Sequence, residues 1–279
     1  MKKVKALAAI ISCVYGSVCF ANFEIGPQLK IGPEYIHYSY REPSIQKRPL
    51  NRGTLYGVNA AFRYDRERFF VNFESKFLKG SGKYSGKSFV TRRRGGRIER
   101  SETELHYKTS ENKLVESRGT FGIKTNDFGF YSGIGMRELK ITSPNVSGTV
   151  KRYKRKTTNY LYFPVGASGS FYENNDDFNI FWMAEYDHLI RGSIKTKRFS
   201  NKSSWKTNNF NQNNGFGLKL LLALKIKSFE ISPFFNFWSV RASKPKSYKT
   251  QMGARTYEVT SIEPKSTTRE FGIRANFVF

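Results

Sequence analysis

The chain offers few residues that could do chemistry, and their spacing limits them further. There are three histidines, at 37, 106 and 188, and five aspartates. Asp187 and His188 are adjacent, so on an extended strand they point to opposite faces and cannot work as one acid–base pair. His37 and Ser39 are two apart and share a face. In that spacing an imidazole could activate a hydroxyl. His106 lies alone in a polar stretch. Both cysteines, Cys13 and Cys19, fall within the first 21 residues. Beyond them there is no thiolate, no disulfide framework and no cysteine metal site. Three scattered imidazoles argue against a transition-metal centre. Neither a cofactor nor a metal is expected.

Cations are abundant. Formal net charge is +26 over 279 residues. Arg92, Arg93, Arg94 and Arg97 cluster in one stretch, and Lys151, Arg152, Lys154, Arg155 and Lys156 in another. Guanidinium groups bind phosphate bidentately and basic patches attract polyanions in general. These two clusters are therefore the candidate polyanion-binding residues.

The elements that position these groups follow from alternation. In residues 269–279 the apolar Phe271, Ile273, Ala275, Phe277 and Phe279 interleave with Glu270, Gly272, Arg274 and Asn276. A period of two makes this a strand with two unlike faces. The same rhythm predicts strands over 34–41, 54–64, 69–77, 114–124, 128–139, 159–171, 178–191, 212–225 and 229–240, ten in all. Short turns follow the even strands. Long polar segments follow the odd ones, over 42–53, 78–113, 140–158, 192–210 and 241–268. Those five segments carry 30 Lys or Arg against 7 Glu, a net of +23. The remainder beyond the first 21 residues is balanced, so all excess charge lies at one end of the hairpins.

The N-terminus begins with Lys2, Lys3 and Lys5, continues apolar from Ala6, and ends in Cys19-Phe20-Ala21. Basic start, apolar middle and small residues before the cut make residues 1–21 a predicted secretory signal peptide. Residues 22–279 then form a single domain.

These features together resemble the small Gram-negative outer-membrane β-barrel (porin-like) proteins. Short stretches such as Tyr40-Arg41-Glu42-Pro43, Leu55-Tyr56-Gly57, Glu116-Ser117-Arg118-Gly119, Asn159-Tyr160-Leu161-Tyr162 and Glu185-Tyr186-Asp187 are similar to uncharacterised barrels of this size. The expected fold class is all-β: a ten-stranded antiparallel transmembrane barrel with short periplasmic turns and long extracellular loops. The resemblance implies a location in the cell outer membrane. It also implies that Phe277 and Phe279 form part of a signal read by the outer-membrane assembly machinery.

This register points Arg41, Arg63, Lys76, Arg118, Arg137, Lys219 and Arg274 into the lumen, with Glu74, Glu116, Glu185, Asp187, Glu230 and Glu270. Buried charges must pair, so Arg41, Arg63, Glu74, Arg118, Arg137, Glu185, Asp187 and Arg274 are expected in a lumen ionic network. His37 and Ser39 fall on the same inward face, while Tyr38, Tyr64, Trp182 and Tyr186 are expected as interface anchors. Omptin-type proteases, also ten-stranded, use Asp and His pairs at the outer mouth. Here Asp65, Asp127, Asp176 and Asp177 fall at the periplasmic turns, so that pattern is not met. The expected function is non-enzymatic: a structural or surface-interaction barrel whose basic rim binds anionic lipopolysaccharide or an extracellular or host polyanion, with outer-membrane lipid as its solvent and no intracellular nucleic acid as partner. The alternatives are a narrow channel for ions or small solutes and, behind it, a lipid-modifying or proteolytic enzyme.

Overall fold

The computed structural model describes residues 26–42, 50–94, 97–125, 128–147, 150–174, 178–200, 204–252 and 255–279. The predicted signal peptide lies outside these residues, as do Asp127, Asp176 and Asp177. Thirteen strands occur among the described residues: β1 (Gly26–Arg41), β2 (Leu50–Arg66), β3 (Phe69–Arg94), β4 (Arg97–Lys124), β5 (Phe128–Ser147), β6 (Val150–Asn174), β7 (Phe178–Ser200), β8 (Ser204–Asn211), β9 (Gly215–Ile226), β10 (Phe229–Val240), β11 (Lys246–Met252), β12 (Arg255–Ser261) and β13 (Ser266–Val278).

Ten of them close a barrel in the order β6-β5-β4-β3-β2-β1-β13-β10-β9-β7, with β7 returning to β6. All pairings are antiparallel. Closure leaves no open edge through the membrane, the condition for a strand to cross lipid. The chain end takes part: Phe279 N–H donates to Leu29 C=O at 2.9 Å, and Leu29 N–H donates back at 3.1 Å.

The expected long loops are, for the most part, not loops. β3 has 26 residues and β4 has 28, whereas a tilted membrane strand needs roughly 9–11. The basic stretches continue the ladders beyond the bilayer as ribbons, and Arg92, Arg93 and Arg94 face Glu99, Ile98 and Arg97 in register. A charge run indicates solvation, and a solvated hairpin satisfies that as well as a loop does. Past the membrane β8 adds to β7, and β11 and β12 form a separate hairpin.

The wall is a two-faced sheet. Outward are Phe62, Phe73, Phe121, Ile134, Val165, Leu220 and Phe271, all exposed. Bilayer replaces the usual core around them. The true packed core is inside the barrel.

Candidate functional site

Opposed residues on antiparallel neighbours share a face, so the register builds the lumen row by row. One row runs Glu34–Gly57–Leu78–Leu114. Its neighbours bring Glu74 opposite Arg118, Lys76 opposite Glu116, and Glu116 opposite Arg137. On the far wall Glu185 opposes Lys219, and Lys219 opposes Asn236.

These rows form a continuous ionic belt. Arg118 donates from Nε to Glu74 Oε2 at 2.6 Å and also bonds Glu185 across the lumen. Arg274 reaches Glu34 at 2.7 Å and Glu74 as well. Lys76 sits 3.3 Å from Glu34 and 3.2 Å from Glu116. Arg137 pairs with Glu116 at 2.8 Å and with Glu270. Lys219 lies 3.7 Å from Glu74. Five acids therefore face five bases, and the belt is neutral. Two tyrosines complete it: Tyr162 donates to Glu116 and Tyr131 to Glu185, both at 2.8 Å. A low-dielectric interior makes such pairs strong and any unpaired member costly.

Above the belt, toward the outer end, the lumen is filled mainly by apolar side chains, with Asn51, Thr109 and Asn112 bonded around the Tyr38 hydroxyl. Ile36, Leu55, Leu78, Leu114, Leu139, Ile141, Tyr38 and Phe234 pack together, and Tyr160, Tyr162, Leu189, Trp238 and Val240 form a second group beside them. Ile36, Leu78 and Leu114 are 0% exposed. Phe234 joins plug to belt, with the Arg274 guanidinium 4.9 Å from its ring centre. Glycines make room for the aromatics. A Cβ at Gly135 would stand 2.2 Å from the Tyr162 ring, and one at Gly166 2.4 Å from that of Tyr131.

Two smaller clusters cap the ends. At the periplasmic side Arg63 and Lys124 pair with Asp65, and Lys30 with Glu230. A cavity of about 200 Å³ lies between these residues and the belt. At the outer mouth Lys156 bonds Glu42 at 2.9 Å, the Tyr40 hydroxyl at 2.7 Å, and Glu263. Burial works against the Lys156 charge, but Tyr40, Glu263 and Glu42 outweigh it and hold the ammonium well above the ordinary lysine range. Burial in turn raises the Tyr40 phenol.

Of the expected lumen residues, Glu74, Arg118, Arg137, Glu185 and Arg274 meet in the belt, and Arg63 sits at the periplasmic mouth. Asp187 is buried, beside the gap left by Gly217, without an ion-pair partner among the described residues. Arg41 does not face the lumen. On β1 the inward residues are Glu34, Ile36, Tyr38 and Tyr40, and the outward ones are Leu29, Ile31, Tyr35 and His37. The faces of this strand are the reverse of those that residues 34–41 alone indicate. His37 and Ser39 thus point outward, and Tyr38, at 1% exposure, is a core residue and not an interface anchor. Glu34, which the inverted register hides, belongs to the belt. Its signal was present: Lys30 and Glu34 share the parity of Ile36. Tyr64 and Tyr186 do face outward, and Trp182 packs with Phe128 and Phe171.

Among the basic clusters, Lys156 is a correction: it is turned into the mouth and neutralised there. The Arg155 Nε donates to Thr142 at 3.4 Å. The backbones of Arg92, Arg93, Arg94 and Arg97 lie at the far end of the β3–β4 ribbon, and those of Lys151, Arg152 and Lys154 on β6 near its start; their side chains are outside the described ones. His188 points outward, on the face opposite Asp187. Among the described residues no group of three His, Cys, Asp or Glu could hold a metal ion.

No family model and no curated protein matches the chain. Solved structures do. The outer membrane protease OmpT from Escherichia coli superposes with a TM-score of 0.57 at 10% identity, covering 95% of this chain and 99% of that one. The toluene transporter TbuX of Ralstonia pickettii gives 0.40 at 10% identity, over 91% and 89% of the two chains. The attachment invasion locus protein Ail of Yersinia pestis gives 0.33 at 9% identity, over 91% and 100%. At such identity the first likeness establishes the fold alone, which is that of an outer-membrane β-barrel.

Proposed function

We propose that this barrel is a non-enzymatic surface protein of the outer membrane, whose basic outer hairpins bind anionic groups, those of lipopolysaccharide first and of other extracellular polyanions second. The observation that carries this reading is the filled lumen. A neutral ionic belt spans the barrel, and a buried, mainly apolar plug sits on top of it. Two packed layers across the lumen favour a role at the surface over conduction. The chain's excess cations lie on the outer ribbons, where electrostatic attraction to phosphate and sulfate acts at long range and weakens with salt.

The test is single-channel recording of the refolded mature protein in a planar bilayer, paired with a binding assay. A silent bilayer with the barrel inserted is expected, together with salt-sensitive retention on lipopolysaccharide and heparin that falls when the β3–β4 ribbon is shortened. Steady openings on the scale of tens of picosiemens, roughly what a narrow lumen would pass, would overturn the reading in favour of the channel.

A further inference from the structure

Three lysines on adjacent strands stand in one outward row. Lys79 of β3 is directly opposite Lys113 of β4, and Lys113 is directly opposite Lys140 of β5. Directly opposed like charges destabilise a sheet unless something neutralises them. Lys140 has a partner in Glu138 at 2.8 Å. Lys79 and Lys113 are exposed and have none among the described residues. The depth of the row is marked by Tyr56, which opposes Lys79 from β2 and is 58% exposed. Outward tyrosines of this kind sit at the membrane–water interface, and this is the outer one, on the side of the long hairpins.

Four residues further down the same strands the wall is hollow. Ala60, Ser75, Ser117 and Gly119 form the floor of a groove of about 550 Å³, with Phe73 and Met136 as its walls. Ser75 and Ser117 hydroxyls bond each other at 2.8 Å, which lowers the polarity of the floor at that pair. Four residues at roughly 3.3 Å each put the floor about 13 Å from the lysines along the strands, or about 10 Å deeper once a tilt of roughly 40° is allowed for. Elsewhere this face carries Phe, Leu and Ile.

We infer that the outer wall of β3–β5 is a lipid site. It holds one phosphorylated, acylated lipid of the outer leaflet, the lipid A part of lipopolysaccharide, with phosphate on Lys79, Lys113 and Lys140 and an acyl chain in the groove below. The charge row and the hollow stand on the same three strands, at the separation of a headgroup and the upper part of its chain. This deepens the lipopolysaccharide reading and rests on it for the choice of leaflet, but it uses the wall and not the hairpin tips.

The experiment is native mass spectrometry of the folded mature protein in detergent, titrated with diphosphorylated lipid A, dephosphorylated lipid A, phosphatidylethanolamine and inorganic phosphate. Folding of each variant is checked by heat-modifiable gel mobility. Lys79→Gln with Lys113→Gln is expected to weaken lipid A binding by roughly tenfold or more, the scale of losing a charge-assisted contact. Ser117→Trp, which fills the groove from the lipid side, should weaken it comparably, and Ala60→Leu less. Removing the lipid's phosphates should matter for the wild type and not for the double lysine variant, and inorganic phosphate should not compete. Wild-type affinity in both the lysine and groove variants overturns the site. If shortening the β3–β4 ribbon over 86–106 then abolishes lipopolysaccharide binding, the surface reading survives without it. If the wild type binds heparin but no lipid A, the wall site alone falls, and if it binds neither, both proposals fall.

Discussion

Glu74 is the residue on which the lumen belt depends most. Its two oxygens serve three cations: Arg118 at 2.6 Å, Arg274, and Lys219 at 3.7 Å. Replacing it with Gln keeps the volume and removes one negative charge, so the balanced belt becomes net positive by one. Arg118 retains Glu185 and Arg274 retains Glu34, but Lys219 loses its sole ion-pair partner among the described residues. Removing one partner from a buried pair costs about 3–5 kcal/mol, because the other charge stays buried without compensation. Glu74→Gln is therefore expected to destabilise by about that much. Adding Lys219→Met restores neutrality and places an apolar stem in the gap, so the double variant should recover at least half of the loss. The coupling between the two sites is then opposite in sign to simple addition. The assay is reversible guanidinium unfolding of the barrel in lipid vesicles, followed by tryptophan fluorescence. Trp238 is well placed to report, since the Arg137 guanidinium lies 5.9 Å from its ring. A loss under about 1 kcal/mol for Glu74→Gln, or a double variant no better than the single, would refute the neutral-belt reasoning.

Other outcomes follow from the same packing. Gly135→Ala puts a methyl into the Tyr162 ring and should cost about 1–3 kcal/mol by overpacking, read as a shifted guanidinium midpoint. Lys156→Met leaves Glu42 and Glu263 at the mouth without their shared cation and should lower Tm by gel mobility. Because the folded pKa of Lys156 is raised, its contribution is fully present below the unfolded lysine value near about 10.4. The Tm gap to the wild type should therefore hold from pH 7 to 10 and shrink only above that. Glu111 has φ of 54°, a left-handed conformation that glycine adopts freely, so Glu111→Gly should be neutral or stabilising by up to about 1 kcal/mol, and Glu111→Val destabilising, in the same unfolding assay.

Strand number, antiparallel closure and the asymmetry of the two ends were legible because each rests on a period-two pattern or a turn. The face of β1 was not. Begun at Glu34, its even positions read Ile36, Tyr38, Tyr40 and look lipidic, while Tyr35, His37, Ser39 and Arg41 look fit for a polar lumen. The strand in fact begins at Gly26. With Leu29 and Ile31 on one parity and Gln28, Lys30 and Glu34 on the other, the assignment reverses. The deeper reason is that the upper lumen is itself an apolar core, so apolarity alone does not mark the lipid side. Hairpin length was hidden for a related reason: Lys, Arg, Ser and Thr in water read alike in loops and in solvated ribbons.

One backbone irregularity decides which half of β4 faces where. Beyond the membrane the β3–β4 ladder pairs Gly82 with Thr109; nearer the bilayer it pairs Gly80 with Asn112. The extra residue is taken up around Glu111, and the β4–β5 register shifts over the same stretch, between Ser110 and Lys113. Above the bulge the odd residue Thr109 is buried; below it the even residues Asn112, Leu114, Glu116 and Arg118 are. A one-residue slip exchanges the two faces of a strand. Had the outer ladder run on without the bulge, Ser117 would face the belt, and Glu116 and Arg118 would face lipid at prohibitive cost. The same shift sends Lys113 outward to meet Lys79 and Lys140. So the neutral belt inside and the lysine row outside are two faces of one inserted residue; the belt is legible from residues 114–124 alone, which lie below the bulge, whereas the lysine row is not until the position of that bulge is known.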